Sequence, residues 1–296
     1  MEDKEIPQRS PKNTLPRLKW SPSDFIRLVS FVVTFAAILL ILMVLSPLTL
    51  FHPFLRRQGW RDDQLPGSRI FMMACGILIY TAGIGVIVRK CSKPVKNNAI
   101  FMFTHASNLD PIIVTWALGC SPKFVFKREL GWIPIFGWIL NLYGHIPINR
   151  AKRDDAIASL KLASKNILEK NKSVAISPEG TRSKTGELLP FKRGPFHLAH
   201  ECTDVPIVPV VLRGAFALQP PKQKFFHSGY VHVTILDPIP TGPTTTVDSL
   251  AEKSEKVIKD NLTESVKIPD PSLILMLVPF ILFVFYIFLF VSLMNR

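Results

Sequence analysis

At 296 residues, 48% of them apolar, the chain has material for one sizeable core, and its formal charge of +14 favours anionic partners. The basic residues are dispersed and match no nucleic-acid-binding motif, so acidic lipid headgroups and phosphorylated cofactors are the expected partners and nucleic acid is not. Cys75, Cys91, Cys120 and Cys202 show no CxxC spacing, which speaks against a zinc site or a disulfide framework and leaves reduced thiols.

Residues 1–27 form a basic tail with Lys4, Arg9, Lys12, Arg17, Lys19 and Arg27. Region 28–91 then carries two apolar segments, Leu28–Phe51 with 24 residues and Ile70–Val88 with 19. About 20 such residues cross the hydrocarbon layer as a helix. The first is too long for a cleaved signal and lacks a small-residue cleavage site. In the second, Gly76, Gly83, Gly85 and Thr81 suit a packed or half-inserted helix as well as a full span. The two segments therefore read as a spanning hairpin or as a re-entrant pair in one leaflet. Leu273–Met294, charge-free for 22 residues, reads as a C-terminal transmembrane helix over 272–294. Arg89, Lys90, Lys93 and Lys96 follow the second segment, and only Arg296 follows the third. By the positive-inside rule the tail and the middle of the chain face the cytosol.

Residues 92–266 are the size of one domain. Strands are expected at Ala99–Phe103, Lys123–Phe126, Ile146–Ile148, Val174–Ser177, Ile207–Leu212 and Tyr230–Leu236. Helices are expected at Pro111–Leu118, Asp154–Glu169, Gly194–Cys202 and Thr246–Leu262. In Asp154–Glu169 the residues Ile157, Leu160, Ser164, Ile167 and Leu168 fall along one face. The alternation predicts an α/β fold, a mixed sheet flanked by helices.

Polar residues gather where strands end, which is where ligands bind in open α/β sheets. THASNLD (Thr104–Asp110) supplies a histidine, the side chain whose unperturbed pKa of about 6.5 suits a proton acceptor, and a carboxylate to orient it. Taken alone, the same residues also read as a turn in which Asp110 caps a helix opened by Pro111. SPEGTRS (Ser177–Ser183) adds Arg182, whose guanidinium fork suits phosphate, and Gly180, which lets the backbone approach a ligand. Glu179 could orient Arg182 or accept a hydroxyl, and a surface turn with an Arg–Glu pair is the plain reading. Arg150, closing GHIPINR (Gly144–Arg150), and Lys192 with Arg193 in LPFKRGPF (Leu189–Phe196) could reach the same anion, or be ordinary surface cations. No phosphate-binding GxxxxGK[ST] loop and no G-x-S-x-G elbow occur, which argues against an NTPase and an α/β-hydrolase. His145, His197 and His200 lack metal-ligand spacing with acidic partners, and no metal site is expected.

Together these blocks resemble the glycerolipid acyltransferases typified by 1-acylglycerol-3-phosphate acyltransferase. THASNLD is similar to that family's N-H-x4-D block, GHIPINR to its I-x-R block, SPEGTRS to F-P-E-G-T-R-S, and VPIVPV (Val205–Val210) to its fourth block. WIPIFG (Trp132–Gly137) and LLPFKRGPFHLA (Leu188–Ala199) extend the likeness over roughly Ser92–Leu262. Thr104 stands where the family usually has asparagine, and Ser177 where it often has phenylalanine.

The resemblance implies an acyl-CoA-dependent O-acyltransferase that acylates the free hydroxyl of lysophosphatidate, giving phosphatidate. His105, oriented by Asp110, would be the general base. Glu179, Gly180, Thr181 and Arg182, with Arg150 and Lys192, would hold the acceptor's phosphate. Acyl-CoA is a co-substrate and no bound cofactor is implied. Another lysophospholipid or an acylglycerol is the alternative acceptor, and a non-catalytic lipid-binding protein the alternative class. The endoplasmic reticulum membrane is the family's usual home. Oligomeric state is not legible.

Overall fold

The computed structural model describes residues 22–45, 47, 51–59, 65–93, 98–149, 153–221, 223 and 227–262. The expected anchor at 272–294, most of the basic tail and Arg150 lie outside the described residues.

The chain opens with helices α1 (Pro22–Leu45), α2 (His52–Arg57) and α3 (Pro66–Thr81). Strand β1 (Ile84–Arg89), strand β2 (Ile100–Phe103) and helix α4 (Asp110–Leu118) follow. Next come β3 (Lys123–Lys127), a 3-10 turn (Arg128–Trp132), α5 (Phe136–Leu142), β4 (Ile146–Ile148) and α6 (Arg153–Leu168). The remainder is β5 (Val174–Ile176), α7 (Gly194–Glu201), β6 (Ile207–Arg213), α8 (Ala215–Leu218), β7 (Gly229–Ile235) and α9 (Val247–Leu262).

Seven strands form one sheet in the order β1-β7-β6-β2-β5-β3-β4. Every neighbouring pair is parallel except β6 and β7, so the sheet is mixed, as expected. The central strands are apolar on both faces because helices cover both. On one face Phe101, Phe103, Ala175, Val208, Val210 and Leu212 meet Leu109, just ahead of α4, and Ile113, Val114 and Ala117 within it. On the other, Ile100, Met102, Val174, Ile176 and Ile207 meet α6, α7 and α9 through Ala163, Ile167, Phe196, Leu198, Leu250 and Ala251.

The apolar segment 70–88 is not one membrane helix. α3 stops at Thr81, and Ile84–Arg89 pairs in parallel with β7 as an edge strand. Gly83 makes the break by adopting φ 70, a left-handed conformation costly for other residues, and its carbonyl accepts the Gly229 N–H at 3.1 Å. A charge-free run cannot distinguish a helix from a buried strand, and here the β-branched IGVIV half went to the sheet. Strand β1 therefore belongs to the sheet although it precedes residue 92. α6 differs in a smaller way. Ala163 and Ile167 face the core, whereas Ile157 and Leu168 are exposed.

α1 packs along α3 and α5, where Ile38 and Leu42 meet Ala74, Leu78, Ile139 and Tyr143. Beneath this layer, His145 is buried between the rings of Phe71 and Phe124, and its Nδ1 accepts the Phe124 N–H at 3.1 Å. Burial first, then the charges of Lys123 and Lys172, push His145 down from 6.5 to about 3. The folded protein thus resists a proton that the unfolded chain takes up at 6.5. Stability is expected to fall as pH drops from 6.5 towards 3, measured by thermal unfolding. His145→Gln, which keeps an acceptor but cannot titrate, should flatten that slope; an unchanged slope would place the acid sensitivity elsewhere.

Candidate active site

β2, β5 and β6 are neighbours, and the loops following β2 and β5 meet at their carboxyl ends. Thr104 prolongs β2 by donating its N–H to Val210 at 3.1 Å, while its hydroxyl accepts the Leu212 N–H at 2.9 Å. The hydroxyl therefore does backbone work at the strand end, just ahead of His105.

Asp110 is the first residue of α4 rather than its cap, and its side chain turns back onto the preceding loop. Oδ2 accepts the Ala106 N–H at 2.7 Å and the Ser107 N–H at 2.8 Å, and lies 2.8 Å from His105 Nδ1. An ionised carboxylate only accepts, so Nδ1 carries the proton and Nε2 is left as the basic nitrogen. Asp110 is wholly buried, whereas the His105 side chain is 18% exposed. The imidazole thus has a dry, anchored side and an open one.

The SPEGTRS loop grips the same residue. Glu179 Oε1 accepts the His105 N–H at 2.8 Å, and Ser183 donates its N–H to the His105 carbonyl at 2.8 Å. Glu179 Oε2 accepts the Leu189 N–H at 2.9 Å. Burial raises the Glu179 pKa above its usual value, opposed by these two N–H groups and by His105. With both oxygens on backbone donors, Glu179 ties the loop after β2 to two points of the loop after β5 and is not turned outward with Arg182. Gly180 holds φ 71, and its N–H donates to the Ser177 carbonyl at 3.1 Å, closing the turn.

Arg182 Nη1 donates to the side chain of Asn108, bridging the two loops on the outside of the site. Thr181 and Lys192 are exposed there. Lys192 donates its N–H to the Pro178 carbonyl at 2.7 Å, and its Cγ would lie 3.2 Å from a Cβ placed on Gly180. Arg193 instead pairs with Asp248 at 3.0 Å. The structure thus brings His105, Asp110, Glu179, Gly180, Thr181, Arg182 and Lys192 into or beside the facing loops after β2 and β5; of these His105 and Glu179 line a cleft, and Arg150 lies outside the described residues. Leu188, Leu212, Phe216 and Leu262 line the cleft beyond His105 and give it an apolar wall. Sequence reasoning passed over Asn108, the structural use of Thr104, and this wall. Only Asn108 had a signal, its place inside THASNLD.

Residues 86–213 match the family model described as Acyltransferase. Over that stretch, from β1 to the end of β6, the chain is an acyltransferase-family sequence. It is 41% identical over 139 residues to a 1-acyl-sn-glycerol-3-phosphate acyltransferase of Limnanthes douglasii, covering 47% of this chain and 49% of that protein. It is 37% identical over 176 residues to the Saccharomyces cerevisiae protein of the same name, covering 58% of this chain and 56% of that one. Against the human 1-acyl-sn-glycerol-3-phosphate acyltransferase alpha it is 37% identical over 184 residues, covering 61% and 64%. The matched part thus spans about half to two thirds of these relatives' lengths. The crystal structure of the 1-acyl-sn-glycerophosphate (LPA) acyltransferase PlsC of Thermotoga maritima shares the fold with a TM-score of 0.60 at 20% identity, covering 81% of this chain and 95% of that one.

Glu179→Gln sets an amide NH2 against a backbone N–H and leaves a buried donor without an acceptor. It is expected to lower the unfolding free energy by about 1–3 kcal/mol. Unfolding monitored in detergent checks this, and an unperturbed transition would mean the bridge contributes nothing.

Proposed function

We propose that the protein transfers a fatty acyl group from acyl-CoA to the free hydroxyl of lysophosphatidate, giving phosphatidate. The observation that carries the reading is the His105–Asp110 pair, 2.8 Å apart, with His105 lining a cleft and Arg182 tied to Asn108 in the same turn. His105 Nε2 takes the proton of the acceptor hydroxyl as that oxygen attacks the thioester carbonyl. Asp110 stabilises the imidazolium that forms. When the tetrahedral adduct collapses, the C–S bond breaks and the CoA sulfur leaves, receiving the proton that His105 holds. No acyl-enzyme is needed. Arg182 and Lys192, with Thr181, the Gly180 turn and Arg150, hold the acceptor's phosphate, while the apolar wall takes acyl chain.

The N-terminal helices fit a re-entrant pair better than a spanning hairpin. At 1.5 Å per residue α1 is about 36 Å long but α3 only about 24 Å, against a hydrocarbon layer of about 30 Å. α1 is long and apolar enough to cross a membrane, yet one side of it rests on α3 and α5. Residues 272–294 supply a second anchor, and the domain faces the cytosol at the endoplasmic reticulum membrane. Asn171, exposed just after α6 with φ 48 and followed by Lys-Ser, is expected to stay unglycosylated in cells. A glycan there would reverse the topology. Asn261 is a poorer reporter, since its amide is tied to the Val257 carbonyl at 2.9 Å.

His105→Ala should lower acyl transfer by roughly a hundredfold to ten-thousandfold while leaving lipid binding intact. The assay uses detergent-purified protein and labelled oleoyl-CoA with lysophosphatidate, lysophosphatidylcholine, lysophosphatidylethanolamine, glycerol-3-phosphate and monoacylglycerol. Labelling of an acceptor other than lysophosphatidate would move the substrate and keep the mechanism; a fully active His105→Ala would sink the mechanism. Arg182→Ala should raise KM for lysophosphatidate roughly tenfold to a hundredfold, and leave monoacylglycerol, which lacks the phosphate, unaffected.

A further inference from the structure

Between β3 and the end of α5 the chain forms a small knuckle that turns several apolar side chains outward. Trp132 is 72% exposed and Trp138 61%, with Ile133 at 46% and Leu142 at 47%. Single exposed apolar residues need no explanation, but several on one short segment mark a contact surface.

The knuckle is tightly built. A Cβ on Gly137 would meet the Gly131 carbonyl oxygen at 2.2 Å, so these glycines let the backbone turn back against itself. Gly137 donates its N–H to the Ile133 carbonyl at 2.7 Å. Ile135, a β-branched residue, is held at φ 64, ψ −58, a conformation that costs on the order of 1–3 kcal/mol. Inward, Ile135 and Ile139 join Ile38 and Leu42 of α1, and the Phe136 ring lies 5.8 Å from that of Phe35. With its inner side seated on α1, the knuckle displays the two tryptophans.

Its position bears on the site. β2, β5 and β3 are parallel neighbours, so the chain leaving β3 emerges at the same sheet edge as His105, about 10 Å away across two strand spacings.

We propose that the knuckle is an interfacial seat: Trp132, Ile133 and Trp138 enter the headgroup–acyl boundary of the bilayer that holds α1 and set the mouth of the His105 cleft at the lipid surface. The proposal rests on the membrane reading of α1 and is independent of which acceptor is acylated. Three observations select a bilayer as the occupant. The patch adjoins α1, whose Val33, Leu40, Ile41 and Val44 are exposed on a helix apolar enough to cross a membrane. Tryptophan is the side chain favoured at headgroup depth. Lys127 and Arg128, exposed at the start of the turn, add cations for acidic headgroups, although each also meets a carboxylate, Glu129 at 3.2 Å and Asp155 at 3.5 Å.

The test uses the full chain in nanodiscs of phosphatidylcholine and phosphatidylglycerol. Of the five tryptophans, all but Trp132 are replaced by phenylalanine, and a parallel protein retains Trp138 alone. A third protein lacks all five and carries Val33→Trp to mark α1. Circular dichroism confirms that each is folded. An interfacial side chain lies about 5–10 Å into the boundary, so Trp132 and Trp138 should each lose roughly half their emission to lipids brominated near the headgroup. They should lose less to lipids brominated at the chain end, and little to aqueous iodide. Val33→Trp should respond most to the deep bromines. If iodide quenches Trp132 and Trp138 while bromines do not, and Val33→Trp still responds, the knuckle faces water and the proposal is overturned with the membrane reading intact. If no position responds to bromine, both fall together.

Discussion

The site depends on how the main chain of His105 is held. Its N–H and its carbonyl are both taken by the loop after β5, the first by Glu179 and the second by Ser183. Parallel pairing of β2 with β5 makes this possible, because it brings the two loops out side by side. A buried carboxylate is a costly choice of clamp, and the raised pKa of Glu179 records that cost. Hydrogen bonds to a charged group are worth about 1.5–3 kcal/mol each, and two of them from backbone donors offset much of it. The result is a histidine whose backbone has little freedom, so its side chain needs only one further contact to be aimed.

Asp110 supplies that contact. It is itself fixed by two backbone N–H groups from the loop it orients, which makes the turn from Thr104 to Asp110 a closed unit. Building the pair into one turn, rather than on separate elements, means that no distant packing change is needed to bring ring and carboxylate together. Thr104 extends the unit into the sheet. Its hydroxyl occupies the Leu212 N–H, so a strand-end donor is satisfied just ahead of His105. For Ser177, a buried residue, the structure offers no comparable account.

Much of this was legible in the sequence, and what was not has physical causes. THASNLD and SPEGTRS could be placed at strand ends because short apolar runs flanked by turn residues mark buried parallel strands. Their mutual contact could be inferred only as chemistry, since nothing linear says that Glu179 would turn inward to the backbone while Arg182 turned outward to Asn108. Segment 70–88 misled for a different reason: hydropathy counts apolar residues without regard to what buries them. Lipid around a helix and a sheet around a strand demand the same composition, and Gly83 marks the point where α3 gives way to β1.

The two helix layers covering the sheet differ in the chemistry they turn outward, and this asymmetry bears on function. On one side α6 and α9 expose charge, with ion pairs Lys165–Glu169 and Glu255–Lys259 along their surfaces. On the other side α1 and α3 expose Val32, Leu40, Ile41, Met73 and Ile77. A sheet with one wet layer and one oily layer has a preferred orientation at a membrane without any further device. The carboxyl ends of β2, β5 and β6 open between those layers. Under the reaction proposed above, a cleft at that edge would meet a water-borne acyl donor from one side and a membrane-borne hydroxyl from the other.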